Sequence, residues 1–299
     1  MKILITGGAG FIGKHLTEYF VKDHEVLIYD NLSNSTEKDA EFLAAKGAKF
    51  CKGDVLDCEK LFEFCKADVV IHLAALSDVA ESVKNPEETR KVNVDGTQNV
   101  LDCCVKNKVK KIIFASSAAV YGDCKNLPIR EDSLMQPLSP YGQSKLDAEK
   151  IIENTCRENK ISYVILRLFN IYGKGQNESY AGVITKFMQN ILEEKPVVIY
   201  GDGTQTRDFV SIHDVVDAFD CAIISDKNGV YNIASGIQIS INDLAQIMFE
   251  KFDNQKIIYK PKQKGDIQNS VADISLAKEK LGFVAKRKLE DEISSIYHE

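Results

Sequence analysis

The chain opens with Ile3-Leu4-Ile5-Thr6 and passes directly into Gly7-Gly8-Ala9-Gly10-Phe11-Ile12-Gly13. A β-branched run, a glycine loop and a helix start, in that order, constrain the fold more than any other segment. Glycines at 8, 10 and 13 permit a tight turn, close approach of a pyrophosphate to backbone N–H groups, and packing of helix on strand. A glycine triplet alone is weak evidence, because it also makes ordinary turns. The second predicted strand ends at Tyr29-Asp30, and an acid there can accept from adenosine ribose hydroxyls while repelling a 2′-phosphate, which favours NAD over NADP. Asp54-Val55 after the third strand and Leu73-Ala74-Ala75 after the fourth fit the adenine and cofactor side of such a site. His72 reads as a satisfied, half-buried histidine.

Apolar runs alternate with helix-period segments. Strands are expected at Lys2 to Thr6, Glu25 to Tyr29, Ala48 to Lys52, Val69 to His72, Lys111 to Ala115 and Ser162 to Leu168. Runs such as Val69-Val70-Ile71 are apolar on both faces, as strands covered by helices are. The fold class is therefore α/β, a Rossmann-type doubly wound parallel sheet, with a smaller C-terminal α/β lobe. We place the nucleotide domain at 1–168 and the second lobe mainly at 169–299, with part of 203–228 returning to the first. A long helix should run from Asn85, as cap, to Asn107, with Pro86 at its first position. The second lobe should carry helices at Ala181 to Glu193, Ile241 to Lys251, Ser275 to Leu281 and Leu289 to Tyr297, and strands at Val197 to Tyr200, Val230 to Ala234 and Lys256 to Tyr259.

A net charge of −6 on 299 residues leaves no basic footprint for nucleic acid. No apolar run approaches a membrane span and the first residues do not resemble a signal peptide, so a cytoplasmic location is expected. The eight cysteines are scattered with no Cys-x-x-Cys, which suggests buried small hydrophobes and no metal.

Tyr141-Gly142-Gln143-Ser144-Lys145 places a phenol and an ammonium four apart, on one face of the helix that Pro140 introduces. A nearby ammonium and an oxidised nicotinamide both favour phenolate, so Tyr141 could move a proton at neutral pH. Ser117, directly after a strand at the sheet's carboxyl edge, could bridge Tyr141 and a substrate oxygen. No histidine or acid is arranged to make it a nucleophile. Without the glycine loop, Tyr and Lys on an ordinary amphipathic helix would be the better account.

Taken together, Gly7-x-x-Gly10-x-x-Gly13, Asp30-Asn31-Leu32-Ser33, Ser116-Ser117-Ala118-Ala119, Tyr141-x-x-x-Lys145, Leu166 to Gly173, Gly201-Asp202-Gly203-x-x-x-Arg207-Asp208-Phe209 and Lys264-Gly265-Asp266 resemble the extended short-chain dehydrogenase/reductases, nearest the NAD-dependent nucleotide-sugar 4-epimerases. The likeness covers almost the whole chain. It implies that Tyr141 is the base, that Lys145 binds the nicotinamide ribose, and that Ser117 hydrogen-bonds the reacting oxygen. Phe11, Ile12, Asn31, Ser33 and Asn93 join the cofactor set. Asn170 and Arg207 would grip a nucleotide diphosphate, with Ser77, Gln176, Asp266 and Ser270 on the substrate side. The implied reaction inverts C4 of a UDP-hexose, UDP-glucose/UDP-galactose first and the N-acetylated pair second; another sugar such as UDP-glucuronate and a non-catalytic NAD-sensing module are the alternatives. Relatives pair through two long helices, here about Glu87 to Asn107 and Tyr141 to Glu158, so a homodimer is implied. Two departures matter. Ala118-Ala119 stands where dehydratases and decarboxylases carry acids, which disfavours both reactions, and Gln263 stands where relatives commonly carry a diphosphate-binding Arg.

Overall fold

A computed structural model describes residues 1–176, 182–252, 256–262, 265 and 267–293. In chain order the strands are β1 Lys2–Thr6, β2 Glu25–Asp30, β3 Lys49–Lys52, β4 Val69–His72, β5 Lys111–Ser117, β6 Ser162–Leu168, β7 Asn170–Tyr172, β8 Val197–Tyr200, β9 Thr206–Ser211, β10 Gly229–Ile233, β11 Gln238–Ser240 and β12 Ile257–Lys260. Seven of them form one parallel sheet in the order β10-β6-β5-β4-β1-β2-β3. Chain order reverses at β1, which lies between β2 and β4. That reversal leaves a crevice at the carboxyl ends of the strands, where doubly wound sheets bind ligands.

Alternate residues of each strand feed opposite cores. Ile3, Ile5, Ile28 and Ile71 pack on one face, and Leu4, Leu27, Val70 and Phe114 on the other. Both faces are apolar because helices cover both. A separate core joins Phe187, Met188, Ile199, Leu244 and Met248 in the smaller lobe, where β11-β9-β7 and β12-β8 form two small sheets.

Five sequence expectations change. The strand near 230, read as part of the second lobe, is β10 and extends the main sheet beside β6. β9 and the helix Ile212–Ile224 were not foreseen; the helix buries Ile212, Val215 and Phe219 against the main sheet, returning the chain to it. The long helix after Asn85 is Pro86–Arg90, a π-helical turn Lys91–Asp95, and Gly96–Lys106. Asn85 does not cap it by a side-chain bond; its amide instead donates to Glu81 of the preceding helix Val79–Lys84. The second lobe's helices are Val183–Leu192, Ile241–Phe249, Ser275–Leu281 and Leu289–Glu292, the last ending at a turn residue, Ile293; residues 294–299, part of the helix expected there, lie outside those described. Cys58 is exposed and Cys51, Cys124 and Cys221 half-buried, so only the other half of the cysteines act as core residues. Among the described residues no helix is long and apolar enough to cross a membrane, and no His, Cys, Asp and Glu cluster could hold a metal ion.

Candidate active site

The crevice is a cavity of about 880 Å³ running from the glycine loop to the start of the smaller lobe. Gly7 has φ +70 and donates to Tyr29 O at 2.9 Å, so the loop turns sharply off β1. A Cβ on Gly7 would come within 2.7 Å of Ala74 N, and one on Gly13 within 2.5 Å of Gly8 Cα. A Cβ on Gly10 would meet only Gly7 O, at 3.3 Å, and would otherwise project into the cavity. The helix Phe11–Phe20 begins there with no side-chain cap and no acid in its first turn. Its unpaired N–H groups and positive dipole end suit a pyrophosphate.

Asp30 is buried, and its carboxylate accepts from Ala9 N at 3.0 Å and Leu32 N at 2.8 Å. Burial pushes its carboxyl above the ordinary range, and those two bonds work against that rise. Asn31 donates to Asp54 Oδ2 at 2.9 Å and accepts from Ser33 N at 3.0 Å, so Asn31, Ser33 and Asp54 form one linked rim. Val55, Leu73, Ala74, Ala75, Phe11 and Ile12 line the same space. These features fit a dinucleotide: the glycines leave room for the pyrophosphate and an acid waits at the ribose position.

His72 is fully buried and burial pushes its imidazole down to about 3, so it stays neutral. Thr97 Oγ1 already donates to Asn93 O at 2.6 Å, so it accepts from His72 Nε2–H at 2.9 Å, and Thr6 Oγ1 donates to Nδ1 at 2.7 Å. This is a satisfied core histidine, more deeply buried than expected.

At the other end, Ser139 caps the helix Pro140–Asn159 and sets Tyr141 and Lys145 facing the end of β5. Lys145 is 4% exposed, and its Nζ donates to Ala115 O at 2.8 Å and lies 5.9 Å from the Tyr141 ring centroid. Burial lowers its ammonium to about 8, Glu149 opposing the fall. Burial raises the Tyr141 phenol above its ordinary value, and the nearby Ser117 hydroxyl works against that rise without cancelling it. Here the expectation of a phenol acidified by Lys145 needs correcting. The lysine's bond goes to a carbonyl, and protein groups alone leave the phenol protonated, so the phenolate would need the positive charge of an oxidised cofactor.

Ser77, Asn170 and Gln176 also line the cavity, Asn170 donating to Asp208 O at 3.1 Å and Gln176 accepting from Thr185 Oγ1 at 2.9 Å. Three expected residues do not line the cavity. Asn93 is buried in the π-helical turn, where it accepts from Leu76 N at 2.7 Å and donates to Leu76 O and Ser144 Oγ at 2.9 Å, bracing the loop after β4. Arg207 turns its Nη1 to Thr206 O and Ile267 O, at 2.7 and 2.8 Å. Ser270 is buried beside β9. Asp266 lies outside the described residues, as does Gln263. Sequence reading missed Lys186, which with Lys145 supplies the positive charge of the lining. No motif marks it; only the fold brings the helix Val183–Leu192 to the cavity.

A dinucleotide cradle that shares one cavity with a Ser–Tyr–Lys set defines an oxidoreductive site of the short-chain dehydrogenase/reductase type. The chain belongs to the NAD dependent epimerase/dehydratase family, whose sequence profile matches residues 3–234. It is 38% identical to a putative UDP-glucose 4-epimerase of Methanocaldococcus jannaschii, across 98% of this chain and 96% of that protein. The UDP-glucose 4-epimerase of Thermotoga maritima, solved with UDP-glucose, superposes with a TM-score of 0.94 at 36% identity, covering 99% and 97% of the two chains. A UDP-N-acetylglucosamine 4-epimerase of Methanobrevibacter ruminantium, solved with UDP-N-acetylmuramic acid, gives 0.93 at 35%, covering 99% and 96%.

Proposed function

We propose that this protein is an isomerase that inverts C4 of a UDP-hexose through a 4-keto intermediate, with UDP-glucose/UDP-galactose as the first substrate pair and the N-acetylated pair as the second. The observation that carries the reading is the convergence of Ser117, Tyr141 and, one turn on, Lys145 in the cavity that the glycine loop opens. The region up to residue 168 holds NAD, while Asn170 and Gln176 of the later lobe, with Ser77 of the first, face the sugar nucleotide. Arg207, Asp266 and Ser270 remain assigned to the substrate on the resemblance alone. The glycine loop and the uncapped helix would hold the cofactor's pyrophosphate, Asp30 its ribose, and Asp54, Val55 and Leu73 to Ala75 the adenine side. Bound NAD supplies reversible hydride acceptance at C4.

Tyr141 takes the proton from the sugar O4 while Ser117 holds that oxygen in line, and returns the proton when the ketone is reduced from its other face. Lys145 orients the nicotinamide ribose, and its ammonium acts on the resulting phenolate only together with the positive charge of the oxidised cofactor. Exclusion of water by the apolar walls at Leu168 and Phe169 strengthens both interactions. Elimination of water across the sugar would need an acid beside Ser117, and Ala118-Ala119 supplies none. A homodimer through the helices near Glu87 to Asn107 and Tyr141 to Glu158 belongs to the same proposal.

The test is incubation with UDP-glucose, UDP-N-acetylglucosamine and UDP-glucuronate, reading C4 configuration by NMR. Wild-type protein should interconvert the first pair, and Tyr141→Phe should lose at least about a hundredfold in kcat while keeping bound NAD. Full activity in Tyr141→Phe would refute the mechanism, and turnover confined to UDP-glucuronate would refute the substrate assignment.

A further inference from the structure

Residues 141, 145 and 149 lie one turn apart on one face of the helix Pro140–Asn159, and this face packs against the end of β5. Ser117 shares the cavity lining with Tyr141, Ala115 O accepts from Lys145, and the Ser116 hydroxyl donates to Glu149 Oε1. The third contact has no part in the reaction as derived above. Yet Glu149 is 3% exposed and is held from a second side by Arg167 of β6, whose Nε reaches Oε1 at 3.0 Å and whose Nη2 reaches Oε2 at 2.7 Å. Arg167 is equally buried and is fixed in turn by its Nη1 bonds to Tyr121 Oη at 2.8 Å and Glu131 O at 2.9 Å.

A buried ion pair is a poor source of stability, because desolvating both charges offsets their attraction and apolar side chains of similar volume do as well. What such a pair does provide is a fixed charge at a chosen place. Here its negative end lies one helical turn from Lys145, and its positive end lies beyond, on β6. We infer that Glu149 is a positioning residue for the Lys145 ammonium: its carboxylate, clamped by Ser116 and Arg167, keeps the lysine charged and aimed along the end of β5. The inference rests on the reading of Lys145 as the working cation of the site.

The surroundings of Lys145 support this. The Phe114 ring of β5 stands 4.7 Å from its Nζ, His72 of β4 is neutral, and Tyr141 on its own helix is protonated. Against the burial that lowers the ammonium, the opposing charge is that of Glu149.

The experiment is an NMR titration of the NAD-bound protein carrying lysine labelled with ¹³C at Cε, with the Lys145 signal assigned by its loss in Lys145→Arg. Glu149→Gln should move the Lys145 midpoint to lower pH by about one unit, tenfold in protonation. Arg167→Gln, which leaves the carboxylate unbalanced, should move it to higher pH. Opposite signs are the mark of a charge effect; a helix merely loosened would shift both variants the same way. Should either single variant fail to fold, Glu149→Gln/Arg167→Gln retains a neutral hydrogen-bonded pair and should titrate below the wild type. Same-direction shifts in the single variants, or an unchanged midpoint in the double variant, would overturn the inference. Because the titration reads no turnover, a protein that shows these shifts and epimerises nothing would sink the functional reading and leave this one standing.

Discussion

Replacing the loop glycines one at a time separates binding from folding. A Cβ on Gly13 would meet Gly8 Cα and O at 2.5 Å and Gly7 O at 2.6 Å, all of them backbone atoms that no side-chain rotation can clear. Relief requires moving the helix Phe11–Phe20 off β1, an overpacking cost of about 2–3 kcal/mol. With an unfolding entropy of about 2.1 cal/mol/K per residue, 299 residues give roughly 1.6 °C of Tm per kcal/mol, so Gly13→Ala should melt about 3–5 °C lower. Gly10 is different. Its φ of −73 suits any residue, and an added methyl would touch the protein only at Gly7 O, 3.3 Å away. The methyl group would instead occupy the space through which a pyrophosphate reaches the helix N-terminus. Losing one charge-assisted hydrogen bond costs about 1.5–3 kcal/mol, or roughly 10- to 150-fold in affinity. Gly10→Ala should therefore melt within about 2 °C of the wild type when free of NAD and bind NAD at least about tenfold more weakly. Differential scanning fluorimetry on cofactor-stripped protein and calorimetric NAD titration read the two quantities separately. Normal NAD affinity in Gly10→Ala would refute the placement of the pyrophosphate.

Two further outcomes follow from buried charges. Burial disfavours the charged form of Lys145 and brings its loss of a proton down to about 8, so epimerisation should hold steady near neutrality and decline above that pH; a rate constant to pH 9.5 in a full pH profile would contradict the role given to its ammonium. Asp208 is fully buried and accepts from Ser235 N and Oγ, Gly236 N and Ala272 N, tying β9 to two later loops. Asp208→Asn turns an amide N–H₂ against those donors, which should cost about 2–4 kcal/mol and lower the melting temperature by roughly 3–6 °C.

Local signals were legible where a few adjacent residues carry them. Strands β1, β4 and β6 fall at the expected residues, because continuous apolar runs bounded by turns admit little else. The Tyr141 and Lys145 pair was readable because helical spacing fixes which side chains share a face. β10 was misplaced because periodicity shows that a strand exists and says nothing about its neighbour. The π-helical turn at Lys91–Asp95 left no mark in the sequence; within it Asn93 bonds the backbone of Leu76, 17 positions away along the chain. At Arg207 the motif position is filled by the expected residue, and its Nη1 bonds the carbonyls of Thr206 and Ile267, contacts that the motif does not announce.

By itself, the sequence determined the glycine turn, the acid at the end of β2 and the spacing of phenol and ammonium, since each depends on bond geometry over a few residues. Tertiary structure alone decided the protonation of the site. Burial holds Tyr141 up and draws Lys145 down, and Glu149, Arg167 and Ser116 meet only because β5, β6 and one helix pack together. Desolvation and charge proximity are properties of surroundings, and surroundings come into being only when distant segments are brought into contact.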